Sequence, residues 1–320
     1  MKMRKYWTSM ILAGSLLLAS CSLQQAVENA PEESLPPTQA TEATVITEPS
    51  EETHPATETP GIAIIPPVVT EKEPADTDMV RVRDYIPDII VQLRYATADN
   101  FTGKVIYTFE DAYLRYGTVK KLAAVQAYLI EYGYSLKIWD AYRPLYGQQA
   151  LWDAYPDDAY VSRPGTGVQA HCRGHAVDIT LVDLQGNDVS MPSDLDDFTT
   201  LGDKDYTDCS ETAAYNATLL DSAMTAGGFK GYQKEWWHYV DLVNYSVEDL
   251  FDPAVVSTWY ANCEVSIPLR SAAATVIDAF MQIGRGEMVT VIGYLNDFAY
   301  VDYAGYRGFV EIKDILPVES

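Results

Sequence analysis

The sequence is poor in histidine, in cysteine and in positive charge. Among its 320 residues are four histidines and four cysteines, and 22 basic residues face 46 acidic ones, giving a formal net charge of -24. This acidity argues against nucleic-acid binding, because phosphates would be repelled and no basic stripe is present. Apolar residues still make up 48% of the chain, which is enough for a substantial core. The length allows one sizeable domain with additional segments.

The N-terminal apolar run is too short to cross a bilayer. Residues 10–19 fall well below the roughly 20 residues that a transmembrane helix needs. The run follows a basic start and ends in "LASC", which is typical of a bacterial lipoprotein signal. We therefore predict that residues 1–21 are a signal peptide, that Cys21 is lipidated, and that acyl chains anchor the protein outside the bacterial cell membrane. The alternative is an ordinary signal peptide in which Cys21 is coincidental.

Residues 22–78 contain almost no aromatic residues and little basic charge. Twelve acidic residues stand against Lys72 alone, and Thr, Pro, Ala and Glu dominate the segment. Such a composition cannot bury enough apolar surface to offset the chain entropy lost on folding. We predict a disordered acidic tether that extends from the membrane into the cell wall.

Helix-like and strand-like patterns alternate from residue 79 onward. Apolar spacing of three to four residues predicts helices over 112–132 and 210–226, each followed by glycine. A shorter helix is predicted in "LYGQQALWDAY". Strands are predicted in residues 89–95, "YSLKIWD", residues 175–184 and "EWWHYVDLV". The combination predicts an α+β domain over residues 79–258, with a central antiparallel sheet and flanking helices.

Residues 262–320 consist of short strand-like segments separated by Gly, Asn and Asp. This region is too short for a sandwich and fits a small all-β barrel. The segments "LRS", "GRGEMVTVIG", "FAYVDYAGYRGFV" and "DIL" resemble a bacterial SH3-type domain, with Phe298 and Phe309 in place of the usual tryptophans. The resemblance implies an SH3-like barrel that either binds cell-wall peptidoglycan or braces the neighbouring domain.

Three of the few histidines lie close to carboxylates. A catalytic zinc ion takes three ligands of the His and carboxylate kind and leaves one position for water. His171, Asp178 and His238 can supply this set, so we predict one Zn²⁺ per chain. Gly174 interrupts helical geometry, which predicts a turn entering a strand. On that strand His175 is turned away from Asp178 and is not expected to bind the metal.

Two further residues are candidates for the chemical step. Glu235 precedes His238 by three positions, so we expect it at the start of the strand or at a bulge, where it can move protons. Arg143 either stabilises charge on a carbonyl oxygen or clamps a substrate carboxylate. Asp140 either orients Arg143 or caps a turn.

Four segments together resemble a known family. "LRYATADNFTG", "WDAYRP", "HCRGHAVDITL" and "EWWHY" occur in the order found in zinc D-alanyl-D-alanine dipeptidases of the vancomycin-resistance type. The resemblance implies that His171, Asp178 and His238 bind zinc, and that D-Ala-D-Ala is hydrolysed. It also implies that Glu235 is the catalytic base and that Arg143 stabilises the transition state. Two residues before the first zinc histidine, where that family usually has serine, this chain has Gln169.

The predicted location restricts the biological role. A lipid-anchored enzyme cannot act on the cytoplasmic dipeptide pool, so we expect hydrolysis of D-Ala-D-Ala or related D-peptides in peptidoglycan turnover, not antibiotic resistance. One alternative is a D,D-carboxypeptidase that trims peptidoglycan stem peptides. An alternative of another class is a non-catalytic wall-binding lipoprotein.

Cysteine usage suggests one further feature. Outside the cytoplasm a disulfide can persist, and Cys172 with Cys209 is the candidate pair. Cys263 has no assigned partner.

Overall fold

The structure is a computed structural model that describes residues 70–166, 169–247 and 250–318. All of these residues belong to one compact unit, Ile64–Ser320. The predicted signal peptide, the lipidated Cys21 and residues 22–69 of the predicted tether lie outside the described residues. Within the described ranges, none of the helices combines the length and the apolar character that a membrane span requires.

The N-terminal region, up to residue 241, is a mixed α/β structure built around a five-stranded sheet. In chain order its elements are β1 (Met79–Arg81), β2 (Ile90–Val91), β3 (Tyr113–Arg115), α1 (Tyr116–Glu131), β4 (Tyr134–Asp140), α2 (Leu145–Ala154), β5 (Ala176–Asp183), α3 (Glu211–Ala226), β6 (Phe229–Tyr232) and β7 (Glu235–Asp241). The spatial order of the sheet is β2-β4-β5-β7-β6. Strand β2 runs parallel to β4, and the other neighbours are antiparallel. The prediction of a central antiparallel sheet is therefore confirmed, except at this parallel edge.

The two faces of this sheet differ in polarity because side chains alternate along each strand. Ile138 on β4 and Ile179 on β5 belong to the apolar core, which α1 and α3 complete. The alternate positions, including Asp178 and Thr180 on β5, point to the opposite face. This polar face is where the predicted metal ligands lie.

Two element boundaries differ from the sequence-based expectation. The predicted helix at 112–132 begins only at Tyr116, because residues 113–115 pair with β1 as strand β3. The predicted strand at 89–95 contracts to β2, and the chain then turns through the 3-10 helix Arg94–Ala96. In both places a partner distant in sequence decides the backbone conformation.

The C-terminal region is all-β, as predicted. Its strands are β8 (Ser257–Ala261), β9 (Ser266–Arg270), β10 (Ala279–Gly284), β11 (Met288–Leu295), β12 (Phe298–Tyr303), β13 (Tyr306–Glu311) and β14 (Ile315–Pro317). They form one antiparallel sheet in the order β10-β9-β13-β12-β11-β8-β14. Strand β8 crosses the interval where we placed the domain boundary and pairs with β11 and β14. Phe298 and Phe309 are both buried.

Residues 70–78 correct the prediction that the whole of 22–78 is a disordered tether. The Lys72 amide donates to the Ala304 carbonyl at 2.9 Å, and Asp76 forms an ion pair with Lys120 at 2.6 Å. Tyr116 donates its hydroxyl to Glu73 at 2.7 Å. The acidic composition was misleading here because Glu73 and Asp76 have partners in the α/β region, and Asp78 forms an ion pair with Arg307 of the C-terminal sheet at 3.7 Å.

Candidate metal centre and catalytic site

The predicted ligands converge at the polar face of the central sheet. Asp178 on β5 lies directly opposite His238 on β7 in the antiparallel register. His171 lies in the 3-10 turn His171–Arg173, which leads into β5. Gly174 ends this turn with φ 71°, in the left-handed region that favours glycine. The sequence therefore forms the predicted turn entering a strand.

The ligand atoms are close enough to share one ion. His238 Nδ1 lies 2.9 Å from Asp178 Oδ1, and His171 Nε2 lies 3.2 Å from His238 Nδ1. His171 Nε2 is 3.4 Å from Asp178 Oδ2. One ligand atom from each residue lies within 4.8 Å of the others. The arrangement offers two imidazole nitrogens and one carboxylate oxygen to a common point.

The surroundings hold these donors in metal-binding form. His171 Nδ1 lies 2.8 Å from the Ala141 carbonyl, which only accepts, so Nδ1 carries the proton and Nε2 presents its lone pair. Burial would raise the pKa of Asp178, but the adjacent His171 and His238 and their hydrogen bonds hold it below its usual value. The donor set therefore fits a divalent cation.

Glu235 lies beside this cluster at the first residue of β7. The register against β6 shifts here, because Gly231 pairs with Tyr239 and Tyr232 pairs with Glu235. This bulge brings Glu235 Oε2 to 3.9 Å from His238 Nδ1, as the sequence predicted for a residue three positions away. Burial and the charge of Asp178 raise the pKa of Glu235 to about 8.

Arg143 is buried and extensively hydrogen-bonded. Its Nε and Nη2 lie 2.9 and 2.7 Å from Asp140 Oδ2, and its Nη1 donates to Gln148 at 3.0 Å. Its remaining edge faces Asp178, with Nη2 3.5 Å from Oδ2. Asp140 also accepts from the Ala141 amide at 2.9 Å, so it both orients Arg143 and caps the turn after β4.

Tyr95 and Asp196 also belong to the site, although no motif of the sequence predicted a role for either residue. The Tyr95 hydroxyl donates to Asp196 Oδ2 at 3.0 Å, and both residues line the cavity above the cluster. Burial and the charge of Asp178 raise the pKa of Asp196 to about 8. Tyr95 falls within one of the four motifs, but Asp196 is one of many acidic residues in its loop, and no sequence pattern distinguishes it.

These residues share a cavity of about 430 Å³. His171, Asp178, His238, Glu235 and Arg143 all line it. Aromatic and aliphatic side chains supply much of the remaining wall: Phe101, Leu151, Tyr160, Val161, Phe198, Tyr232, Trp237 and Val240. The geometry is a small concave site with a metal-binding set, an acidic group and a cationic group facing one space.

Comparison with known proteins identifies the family. The family model described as D-ala-D-ala dipeptidase, of the M15 peptidases, matches residues 75–255. The chain belongs to this family. It is 37% identical to the D-alanyl-D-alanine dipeptidase of Escherichia coli over 163 residues, covering 51% of this chain and 84% of that protein. The protein of the same name from Streptomyces coelicolor is 32% identical over 189 residues, which cover 51% of this chain and 90% of that protein. The D-alanyl-D-alanine dipeptidase of Enterococcus faecalis is 32% identical over 167 residues, which cover 46% of this chain and 82% of that protein.

The protein is therefore an enzyme of the dipeptidase family, and this family is metal-dependent. The matched interval contains all five predicted site residues, His171, Asp178, His238, Glu235 and Arg143. Gln169, at the position where the family usually has serine, is buried and lines the cavity of this peptidase. His175 is buried as well, but its Nδ1 lies 2.7 Å from the Val243 carbonyl and not at the metal-binding cluster.

The candidate disulfide of the peptidase is absent. Cys172, Cys209 and Cys263 are free thiols in the structure. Cys172 is buried in the turn that carries His171, and burial raises the pKa of its thiol to about 11. Cys209 is partly exposed and lies 3.5 Å from the Tyr206 carbonyl. The two thiols lie in different surroundings, which sequence spacing could not reveal.

Proposed function

We propose that this peptidase hydrolyses D-Ala-D-Ala or closely related D-peptides, and that it uses one Zn²⁺ ion. The observation that carries the proposal is the convergence of His171, Asp178 and His238 beside Glu235 and Arg143 in one small cavity. Relatives that bear the name D-alanyl-D-alanine dipeptidase support the choice of substrate.

Zinc is the metal that best suits the donor set. Two neutral imidazoles and one carboxylate leave a coordination position free, as catalytic zinc sites do. When bound, zinc would act as a Lewis acid and lower the pKa of a coordinated water. His171 and His238 would hold the ion through nitrogen, and Asp178 would hold it through oxygen.

Glu235 handles protons in this proposal. The positive charge of a bound Zn²⁺ would favour the ionised form of Glu235. This carboxylate, buried next to His238, accepts a proton from the attacking water and returns it to the leaving nitrogen. The amine product then departs neutral. A glutamate at this point is effective because its side chain is fixed by the bulge at the start of β7.

Arg143 stabilises the charge that develops on the scissile carbonyl oxygen. Asp140 and Gln148 hold most of its guanidinium, so that the edge near Asp178 stays aimed at the reacting centre. Such fixed donors need no reorganisation as charge develops.

Asp196 favours a free dipeptide over a longer stem peptide. The pKa of Asp196 is raised to about 8 in the empty cavity, and an ammonium group beside it would favour its ionised form. A dipeptide carries such an ammonium group next to its scissile carbonyl. A stem peptide has an amide nitrogen at that position and offers no charge. The runner-up, a D,D-carboxypeptidase acting on peptidoglycan stem peptides, would leave Asp196 without a cationic partner in the substrate.

The proposed setting is outside the cell, in peptidoglycan turnover. Support comes from the "LASC" sequence that ends at Cys21, which predicts lipid anchoring to the bacterial cell membrane. The all-β C-terminal region is proposed to be SH3-like and to contact cell-wall peptidoglycan. A pull-down of the whole protein with purified wall sacculi would test this partner.

Purified protein should be assayed on D-Ala-D-Ala and on a pentapeptide ending in D-Ala-D-Ala. We expect cleavage of the dipeptide, loss of activity with a chelator and recovery on adding Zn²⁺. Cleavage of the pentapeptide alone would favour the carboxypeptidase. A protein without stoichiometric metal and without activity on either substrate would favour a non-catalytic wall-binding lipoprotein.

A further inference from the structure

The cavity is lined by charged groups of both signs. The carboxyl groups are Asp158, Asp178, Asp196 and Glu235, and the Lys and Arg side chains are Arg143 and Lys230. A D-dipeptide brings one ammonium group and one carboxylate into this space. Its carboxylate needs a cationic partner, because an opposite charge nearby stabilises the ionised form in a buried site.

Arg143 cannot bind the substrate carboxylate and also stabilise the charge on the scissile carbonyl oxygen. Asp140 and Gln148 occupy most of its fork, and the edge that remains lies beside Asp178 at the reacting centre. Lys230 differs in this respect. Within the described part of the chain its ammonium group has no hydrogen bond and no ion pair, and the side chain is exposed at the cavity wall.

The register of the sheet places Lys230 near the cluster. Lys230 on β6 lies opposite Val240 on β7, and Val240 lies two positions beyond His238 on the same face. Side chains directly opposite each other in an antiparallel pair share a face, and two positions along a strand correspond to about 7 Å. The flexible four-carbon stem of lysine can span that separation and bring the ammonium group beside the cluster.

Lys230 and Asp196 reach the cavity from different parts of the fold. Strand β6, which carries Lys230, is one edge of the sheet, whereas Tyr95, whose hydroxyl donates to Asp196, follows β2 at the other edge. In a dipeptide the scissile carbonyl lies between the ammonium group and the carboxylate. An ammonium group at Asp196 and a carbonyl at the cluster therefore direct the carboxylate away from Asp196, and Lys230 is the cation of the cavity wall that has no other partner among the described residues.

We propose that Lys230 binds the C-terminal carboxylate of the substrate and makes this enzyme selective for free acids. The proposal rests on the proposed function and adds a specificity-determining residue to it. The contact operates in the ground state and in the transition state alike, because the carboxylate takes no part in bond cleavage. Its loss should raise KM and leave kcat nearly unchanged.

The test compares D-Ala-D-Ala with its C-terminal carboxamide, using the full-length enzyme loaded with Zn²⁺. Lys230→Met keeps the stem and removes the charge. We expect KM for the free acid to rise about fivefold, the effect typical of a partly exposed ion pair, with no change in KM for the carboxamide. Lys230→Arg should restore most of the preference for the free acid.

Lys234→Met is the matched control. Lys234 lies on the same hairpin, with its ammonium group 5.1 Å from the centre of the Tyr160 ring, and it does not line the cavity. Its substitution removes the same charge from the neighbourhood and should leave the acid-to-amide ratio of KM values unchanged. Equal changes in the Lys230→Met and Lys234→Met variants would indicate general electrostatic attraction and would overturn the proposal.

Two other outcomes would overturn it as well. One is an unchanged ratio in Lys230→Met. The other is loss of the ratio in Gln169→Ala alone, which would assign the carboxylate to the amide that replaces the usual serine. Failure of the wild-type enzyme to cleave either compound would instead contradict the proposed function, so the two failures are distinguishable.

Discussion

At the scale of single residues, one proton position prepares His171 for metal binding. The Ala141 carbonyl, 2.8 Å from Nδ1, requires a proton there and leaves Nε2 as the donor. Asp178 Oδ1 lies 2.9 Å from His238 Nδ1, and Asp178 remains ionised despite its burial. The site is thus set by hydrogen bonds that fix tautomer and charge before any ion arrives.

Replacing Glu235 with glutamine should abolish proton transfer and keep the shape of the site. We expect kcat for D-Ala-D-Ala to fall by about 10²–10⁴-fold, the usual contribution of a general base. Zinc content measured by elemental analysis should stay at one per chain, because Glu235 is not a ligand. Activity above about a tenth of wild type, at unchanged zinc content, would contradict the role of base.

Replacing Asp196 with asparagine should separate substrate binding from folding. Asn tolerates the φ of 60° at this position, so the backbone should not change. Loss of the ion pair with the substrate ammonium group should raise KM about tenfold. An unchanged KM would remove Asp196 from the substrate site.

The same variant should also change how stability depends on pH. The pKa of Asp196 is raised from 3.8 to about 8 in the folded protein, so the folded state favours the protonated side chain. The resulting contribution to the free energy of unfolding is complete below pH 3.8 and is lost as the pH rises towards 8. Urea unfolding of the metal-free protein at pH 5 and pH 8 should therefore show a smaller loss of stability in Asp196→Asn than in wild type.

At the scale of elements, two irregularities build the site. The turn His171–Arg173 ends at Gly174, whose amide donates to the His171 carbonyl at 2.9 Å. The bulge at the start of β7 turns Glu235 to the same side as His238. Regular strands would have placed Glu235, the proposed catalytic base, on the opposite face of the sheet from His238.

Gly174→Ala should weaken both the fold and the metal site. At φ 71° a side chain is strained, and the added Cβ would lie 2.6 Å from Met79 Sδ. We expect a loss of about 1–2 kcal/mol in the free energy of unfolding. Zinc affinity, measured by competition with a chelator, should fall because His171 moves with the turn.

Gly133→Ala is the control for strain alone. Its φ is 85°, and a Cβ there meets no atom within 4 Å. It should lose stability without losing zinc affinity. Equal zinc affinity in the two variants would show that the geometry of the turn does not control the ligand.

At the scale of the whole molecule, the α/β region and the C-terminal sheet share a small core. Met79, Tyr113 and Tyr142 from the α/β region pack with Phe251 and Ile292. Tyr142 precedes Arg143 in the chain, so this contact also supports the loop that holds the arginine proposed to stabilise the transition state. We expect the two regions to unfold together because each buries part of the other.

Arg307→Ala should test this coupling. Arg307 on β13 donates to the Met79 carbonyl at 2.7 Å and also lies 3.1 Å from Asp302 and 3.7 Å from Asp78. Its loss should cost about 1–3 kcal/mol and lower Tm by several degrees, measured by calorimetry. Lys313→Ala, which removes an exposed pair with Glu311, should leave Tm nearly unchanged. Equal Tm values for both variants would contradict the coupling.

Local patterns in the sequence were sufficient for much of the fold. The apolar spacing of α3, the β-branched run of β5 and the glycine after the His171 turn act through neighbouring residues, and their consequences could be read directly. The four motifs likewise identified His171 and His238 as residues of one site. The free thiol of Cys172, the ordered segment 70–78 and the strand before α1 were not predictable, because each depends on a partner distant in the chain.

The sequence by itself therefore determined the chemistry: which imidazoles and carboxylates are present, and the turn and strand that carry most of them. Only the tertiary structure decided their arrangement. In the folded protein Asp196 lies at the cavity, where it accepts a hydrogen bond from Tyr95, and Arg143 donates to Asp140. Lys230 lines the cavity from the edge of the sheet. The physical reason is that composition and periodicity report short-range preferences, whereas burial and the pairing of charges depend on which distant segments meet.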